Sequence, residues 1–221
     1  MAACGIHPKR HDQVPSISNY FEPLMEFMAA LPSEEKVVLV GHSMGGVSIA
    51  VAMERFPDKI AVAVFLTAVM PGPDFDLLTI NQKFNRDLDS YMDCKFTFDQ
   101  GPDKPPTSLL FGPEFLSTKL YQLSPPEDLS LATLLMRPFS IYDEIELARE
   151  SIVTKEKFGS VPRVYFVGDQ DKVIKEEFQR WMIENNPTDE VIVIRSSDHM
   201  VMFSKPKELS SYLQGIVKKY C

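Results

Sequence analysis

A serine hydroxyl attacks a carbonyl at neutral pH only when a base takes its proton and a third group holds that base, so a hydrolytic site needs three residue types in register. Ser43 has the right setting for the first. It lies in Gly41-His42-Ser43-Met44-Gly45, a G-x-S-x-G arrangement that follows the apolar, mostly β-branched run Val37–Val40. A serine on a sharp strand-to-helix turn needs small neighbours two positions away on either side, and Gly41 and Gly45 are expected to supply that clearance. The backbone N–H of Met44 would then face the oxyanion formed by attack on an acyl group.

The chain has four histidines. His7 and His11 lie in a polar N-terminal segment, and His42 is the variable position of the turn, from which its ring need not reach the neighbouring hydroxyl. His199, in Arg195-Ser196-Ser197-Asp198-His199-Met200, is the remaining candidate base. Candidates for the orienting acid are Asp169 and Asp171, in Gly168-Asp169-Gln170-Asp171-Lys172, and their spacing alone leaves both open. Asp198 is a third, but its place directly before His199 makes a bond to that ring awkward. The chain order serine, aspartate, histidine is that of α/β-hydrolases and differs from two other common serine-hydrolase orders.

These residues need strands to carry them. Val37–Val40, Ile60–Leu66, Val161–Val167 and Val191–Ile194 are short apolar runs of the kind that form parallel strands covered on both faces. Each candidate side chain falls just past the carboxyl end of one, where sites gather in open α/β sheets. The segment after Ser43 reads as a helix ending before Pro57. Phe21, Leu24, Met25, Met28 and Leu31 predict a helix that begins near Pro23 and stops at Pro32. Phe178, Trp181 and Met182 mark another. A last helix is expected from Ser204 as cap and Pro206, with Leu209, Tyr212, Leu213, Ile216, Val217 and Tyr220 on one face. Between Pro71 and Asp143 proline is frequent and the apolar pieces are short, which reads as an insertion rather than more sheet. The expected division is a core from residues 1–70 and 144–221 with a cap insertion at 71–143.

At 221 residues and 44% hydrophobic, the chain suits one domain with a substantial core. Its net charge of −8 comes with no long basic run, which argues against nucleic acid and anionic membrane surfaces as partners. No apolar run approaches the roughly 20 residues that span a bilayer, and a cytoplasmic protein is expected. Cys4, Cys94 and Cys221 are scattered without metal-ligand spacing, so neither a disulfide framework nor a zinc site is expected, and no cofactor is needed.

The stretches VVLVGHSMGG, FPDKIAVAVFLTAVMPGP, FGPEFLSTKLYQLSPPEDLSLA, EEFQRWMIENNP and SSDHMVMFSKPKEL resemble the plant methylesterase group of α/β-hydrolases, over nearly the whole chain. That group also holds hydroxynitrile lyases and a methylketone-forming decarboxylase. The resemblance implies the α/β-hydrolase fold with a mostly parallel sheet, and a small methyl ester as substrate: methyl salicylate, methyl jasmonate or methyl indole-3-acetate. It favours Asp171 as the acid, because Gln170-Asp171-Lys172 is similar to the family's Glu-Asp-Lys at its last two positions. It also implies an apolar pocket to which Tyr91, Phe96 and Met200 contribute. The decarboxylase-like members lack the nucleophilic serine that Ser43 provides, and one type of lyase carries a lysine where Met200 stands. Esterase therefore leads, with a carbon–carbon lyase and a ligand-binding homologue of low turnover as alternatives. Family members begin with a strand, a His-Gly-x-x-x-Gly-like loop, a helix and a further strand before the segment that Ala2–Ile6 resembles. On that comparison the chain as given is expected to be N-terminally truncated, short of one oxyanion donor, and prone to pair with a second copy as a homodimer or to aggregate.

Overall fold

A computed structural model describes residues 1–221, the side chain of Asp87 excepted. In chain order the elements are α1 (Ile17–Ala30), β1 (Val37–His42), α2 (Gly45–Arg55), β2 (Ile60–Leu66), α3 (Leu77–Asp87), β3 (Lys95–Thr97), β4 (Ser108–Leu110), α4 (Pro113–Phe115), α5 (Pro126–Leu135), β5 (Phe139–Ser140), α6 (Glu144–Glu150), β6 (Arg163–Gly168), α7 (Glu176–Asn185), β7 (Glu190–Ile194), α8 (Val201–Ser204) and α9 (Pro206–Tyr220).

Four apolar runs form the main sheet, all parallel, in the order β1-β2-β6-β7. Successive side chains of a strand point to opposite faces, and both faces here are apolar. Val62, Val64, Leu66, Val164 and Phe166 meet Val201, Leu209 and Ile216 of α8 and α9 on one side. Ala63, Phe65, Tyr165 and Val167 meet Phe21 and Met28 of α1, Val47 and Met53 of α2, and Phe178 of α7 on the other. Each large side chain so enclosed contributes about 1.5–3 kcal/mol relative to exposure. The register pairs His42 with Leu66, Leu66 with Phe166 and Phe166 with Ile192, so the loops that follow these strands share one rim of the sheet.

Helix α1 starts six residues before Pro23, not at it. Ser16 caps it by accepting the Asn19 N–H at 3.1 Å, and burial of Ile17, Phe21, Met25 and Met28 holds the helix through a proline that removes one backbone bond. Its last carbonyls, on Met28, Ala29 and Leu31, accept from Lys59 Nζ at 3.0, 3.1 and 2.8 Å. At the other end of the chain, Ser204 does not cap α9. It ends the short helix α8, and Lys205 precedes Pro206 without a side-chain cap. On α9 Leu209 and Ile216 are buried, whereas Tyr212 and Val217 are exposed.

Residues 71–143 contribute no strand to the parallel sheet, and they are not simply irregular. β3, β4 and β5 pair antiparallel as a separate three-stranded sheet. Prolines 102, 105, 106 and 138 flank these strands and keep them short. α4 runs into a π-helical turn, Leu116–Leu120, whose Leu116 and Leu120 pack with Phe115 and Tyr121, and against this cluster lie Met200 and Phe203. The chain's first residues lie against the end of this insertion: Arg137 donates to the carbonyls of Gly5, His7 and Lys9 at 2.8, 2.9 and 2.8 Å.

Among the described residues β1 pairs only with β2, so its other edge carries open backbone groups, and Val40 is 43% exposed. Among them, too, no helix is long and apolar enough to cross a membrane, and no group of three His, Cys, Asp or Glu side chains is placed to hold a metal ion.

Candidate active site

Ser43 follows the last residue of β1 and precedes α2, with φ of +54°. A left-handed backbone at a non-glycine residue costs free energy and persists only where its surroundings hold it. Here β2 and its following loop do so. Ser43 N–H donates to the Leu66 carbonyl at 3.4 Å, and the Ser43 carbonyl accepts from Gly46 and Val69 N–H at 3.1 and 3.0 Å. Clearance is needed at one of the two motif glycines, Gly41, and not at the other, Gly45. A Cβ on Gly41 would stand 2.7 Å from the Gly45 carbonyl oxygen, whereas one on Gly45 would meet nothing within 4 Å. The second tight position is Gly46, whose Cβ would stand 2.0 Å from the Val69 carbonyl oxygen.

The candidate base and the favoured candidate acid are joined. His199 Nδ1 and Asp171 Oδ2 are 2.7 Å apart, both residues being buried. The other Asp171 oxygen accepts from Val173 and Ile174 N–H at 2.8 and 2.9 Å, so the carboxylate is fixed from both sides. Asp169 is not in this arrangement, and its Oδ1 is buried without a partner among the described residues. Asp198 is fully buried and bonds away from the His199 ring, to Leu123, Ser124 and Met200. With Nδ1 engaged by Asp171, His199 has Nε2 to offer, and among the described residues neither Nε2 nor the Ser43 hydroxyl has a hydrogen-bond partner. The Met44 N–H, at the N-cap of α2, is likewise without an acceptor among them, at the positive end of a helix dipole.

The family model described as the alpha/beta hydrolase family matches residues 8–211. Methyl jasmonate esterase 1 of Vitis vinifera is 58% identical over 221 residues, covering 100% of this chain and 85% of the relative. Methylesterase 10 of Arabidopsis thaliana is 46% identical, over 100% of this chain and 80% of its own length. Among solved structures, tomato methylketone synthase I complexed with 2-tridecanone superposes with a TM-score of 0.96 at 47% identity, covering 100% of this chain and 86% of that one. The chain belongs to the α/β-hydrolase family. Within it, it is a member of the plant methylesterase group.

For this α/β-hydrolase the residues that hold the site in place were mostly invisible in the motif. His42, set aside as a variable position, faces His199 with ring centroids 4.7 Å apart. Its Nε2 lies 2.8 Å from the His199 carbonyl, and since a carbonyl only accepts, that nitrogen carries the proton. Burial first, and the neighbouring His199 imidazole second, push the His42 pKa down to about 3. Thr67, after β2, donates its hydroxyl to the same carbonyl at 3.1 Å and has φ of +41°. Gln179 on α7, fully buried, accepts from Gly168 N–H at 3.1 Å and donates to the Gly168 and Ile174 carbonyls at 3.1 and 2.6 Å, so it brackets the loop of Asp171. A glutamine among the buried stripe of Phe178 and Met182 is the one sequence signal that was available for it.

Of the expected pocket residues, Tyr91 and Phe96 pack edge to face at 5.1 Å, and Met200 lies against the Phe115–Tyr121 cluster. Two open depressions lie elsewhere. One, of about 250 Å³, lies by Arg163 and Asp189 where β6 begins; the other, of about 620 Å³, runs along α9 past Leu209, Leu213 and Val217. Neither is lined by Ser43, Asp171 or His199.

Proposed function

We propose that this protein is a cytoplasmic carboxylesterase that hydrolyses small methyl esters of the plant-hormone type, methyl jasmonate, methyl salicylate or methyl indole-3-acetate, through Ser43, His199 and Asp171. The observations that support the proposal are the buried 2.7 Å bond between Asp171 and His199 and a serine held at positive φ at the end of β1, whose neighbour His42 faces the His199 ring at 4.7 Å. Ser43 Oγ attacks the ester carbonyl while His199 Nε2 takes its proton, and Asp171 keeps the imidazole in the tautomer that leaves Nε2 free. The negative charge formed on the carbonyl oxygen meets the Met44 N–H. Collapse breaks the bond to methoxide, which leaves as methanol with the proton from His199. Water, deprotonated by the same nitrogen, then cleaves the acyl-serine and releases the acid. No step calls for a metal or an organic cofactor.

In this reading the acyl group lies under the cap, against Met200, Tyr91 and Phe96, which would favour a compact apolar or aromatic group. Met200 stands where a cyanide-handling lysine would serve a lyase, and Ser43 supplies the nucleophile that a decarboxylase-like relative would not need. Methanol release from the three methyl esters is the test. The wild type should turn over at least one of them in preference to a long-chain triglyceride, and Ser43→Ala and His199→Ala should each abolish that turnover. Equal rates on the triglyceride would contradict the pocket, and cyanide release from a cyanohydrin without ester hydrolysis would contradict the reaction.

A further inference from the structure

One buried carboxylate lies beside the site without belonging to the Ser43–His199–Asp171 set. Asp198 is 0% exposed, and its neighbours in sequence are His199 and the residues that carry it. Its Oδ1 accepts from the Met200 N–H at 3.1 Å, which keeps the charge within its own loop. Its Oδ2 reaches across to the cap, accepting from the Leu123 N–H and the Ser124 hydroxyl, both at 2.9 Å. One residue earlier in the cap, Gln122 Nε2 donates to the Gln170 carbonyl at 2.7 Å, in the loop that carries Asp171. A four-residue cap segment thus holds both loops of the site by polar bonds, and Tyr121 adds a stacked contact with Phe203 at 5.7 Å. An aspartate taken wholly out of water must be compensated by donors, and two of the three donors to Asp198 come from the cap.

We infer that Asp198 is a positioning residue which couples the cap to the base: the cap segment Gln122–Ser124 sets the place of the His199 loop, so a displaced cap carries the base out of line with Ser43. The inference rests on the proposed esterase reading only for its kinetic arm. The cap therefore does more than line a pocket. Its seating and the alignment of His199 are linked, because withdrawing the cap removes two of the three hydrogen bonds that Asp198 accepts.

Ser124→Ala removes one cap donor and leaves the folded core untouched; Ser124→Thr restores the hydroxyl. In hydrogen–deuterium exchange followed by mass spectrometry, Ser124→Ala should speed exchange in the peptide carrying residues 196–200 as well as in the cap peptide around 121–124, and Ser124→Thr should return both to the wild-type rate. In ester hydrolysis, Ser124→Ala should lower kcat about tenfold, as the loss of one hydrogen bond to a buried charge would, with less change in KM. Asp198→Asn should lower it at least as far, and Ser124→Ala placed on top of Asp198→Asn should add little further loss. If the wild type has no esterase turnover, the functional reading fails while the exchange arm still judges the coupling. Faster exchange confined to the cap peptide, or a raised KM with unchanged kcat, would overturn the inference and leave Ser124 as ordinary cap packing.

Discussion

Ser43 is held at positive φ by bonds on both sides of its peptide plane, and that places unequal demands on the glycines around it. Gly45, the motif position, has room for a side chain, while Gly46 lies against the Val69 carbonyl. Gly46→Ala should therefore cost at least about 3 kcal/mol, and Gly45→Ala should remain within about 1 kcal/mol of the wild type or improve on it, since alanine favours the helix that starts there. Denaturant melts of the two variants check this, and equal losses would contradict it. His42 makes a second demand, on pH. Its pKa is near 3 in the fold against an ordinary 6.5, so the unfolded chain binds the proton first as pH falls. Above pH 6.5 the group has no effect; between 6.5 and about 3 the fold loses up to about 1.4 kcal/mol per pH unit. His42→Gln, which keeps a donor for the His199 carbonyl, should flatten the fall in thermal midpoint over that window. Parallel curves for variant and wild type would show that His42 is not the cause.

At the scale of elements, the loops after β1, β2, β6 and β7 gather the chemistry because the parallel register ends these strands on one rim. Most of that was legible in the sequence. The apolar runs gave the strands nearly to the residue, with β2 at Ile60–Leu66 as expected, since a strand buried on both faces has no polar residue to blur its ends. Residues 71–143 were less legible, because strands of two or three residues carry too little periodicity to be seen and form only through pairing with each other. α1 was misplaced by its proline, whose local penalty is outweighed by four buried side chains on the helix. The choice between Asp169 and Asp171 was beyond any local pattern, since it depends on which carboxylate the loop turns toward β7. Gln179, anchored on α7, and the N–H groups of Val173 and Ile174 turn Asp171 inward. Asp171→Asn should thus lower ester turnover by about four orders of magnitude, as expected where the base loses its tautomer, and Asp169→Asn should leave it within a few fold. The reverse ranking would show the acid to be Asp169.

For the whole molecule, the open edge of β1 is the feature most at odds with an isolated chain. An apolar edge with unpaired N–H and C=O groups pairs with another strand unless something blocks it; neither a proline nor a lysine lies within Val37–His42, and the one irregularity is a register shift between Val37 and Val38. A chain of residues 1–221 should therefore self-associate with rising concentration, and Val40→Lys should weaken this; sedimentation showing a monomer at all concentrations would contradict it. The Asp171–His199 pair lies on the loops after β6 and β7, away from that edge, whereas Ser43 follows the edge strand itself, and the central proposal about this protein is that Ser43 is an activated nucleophile. Labelling with a fluorophosphonate, read as intact mass and then mapped to a peptide, tests it most directly, because only a serine whose proton is taken by a base reacts. The account predicts one adduct, on Ser43, lost in both Ser43→Ala and His199→Ala. A folded wild-type protein that stays unlabelled, or one labelled equally well after His199→Ala, would contradict it.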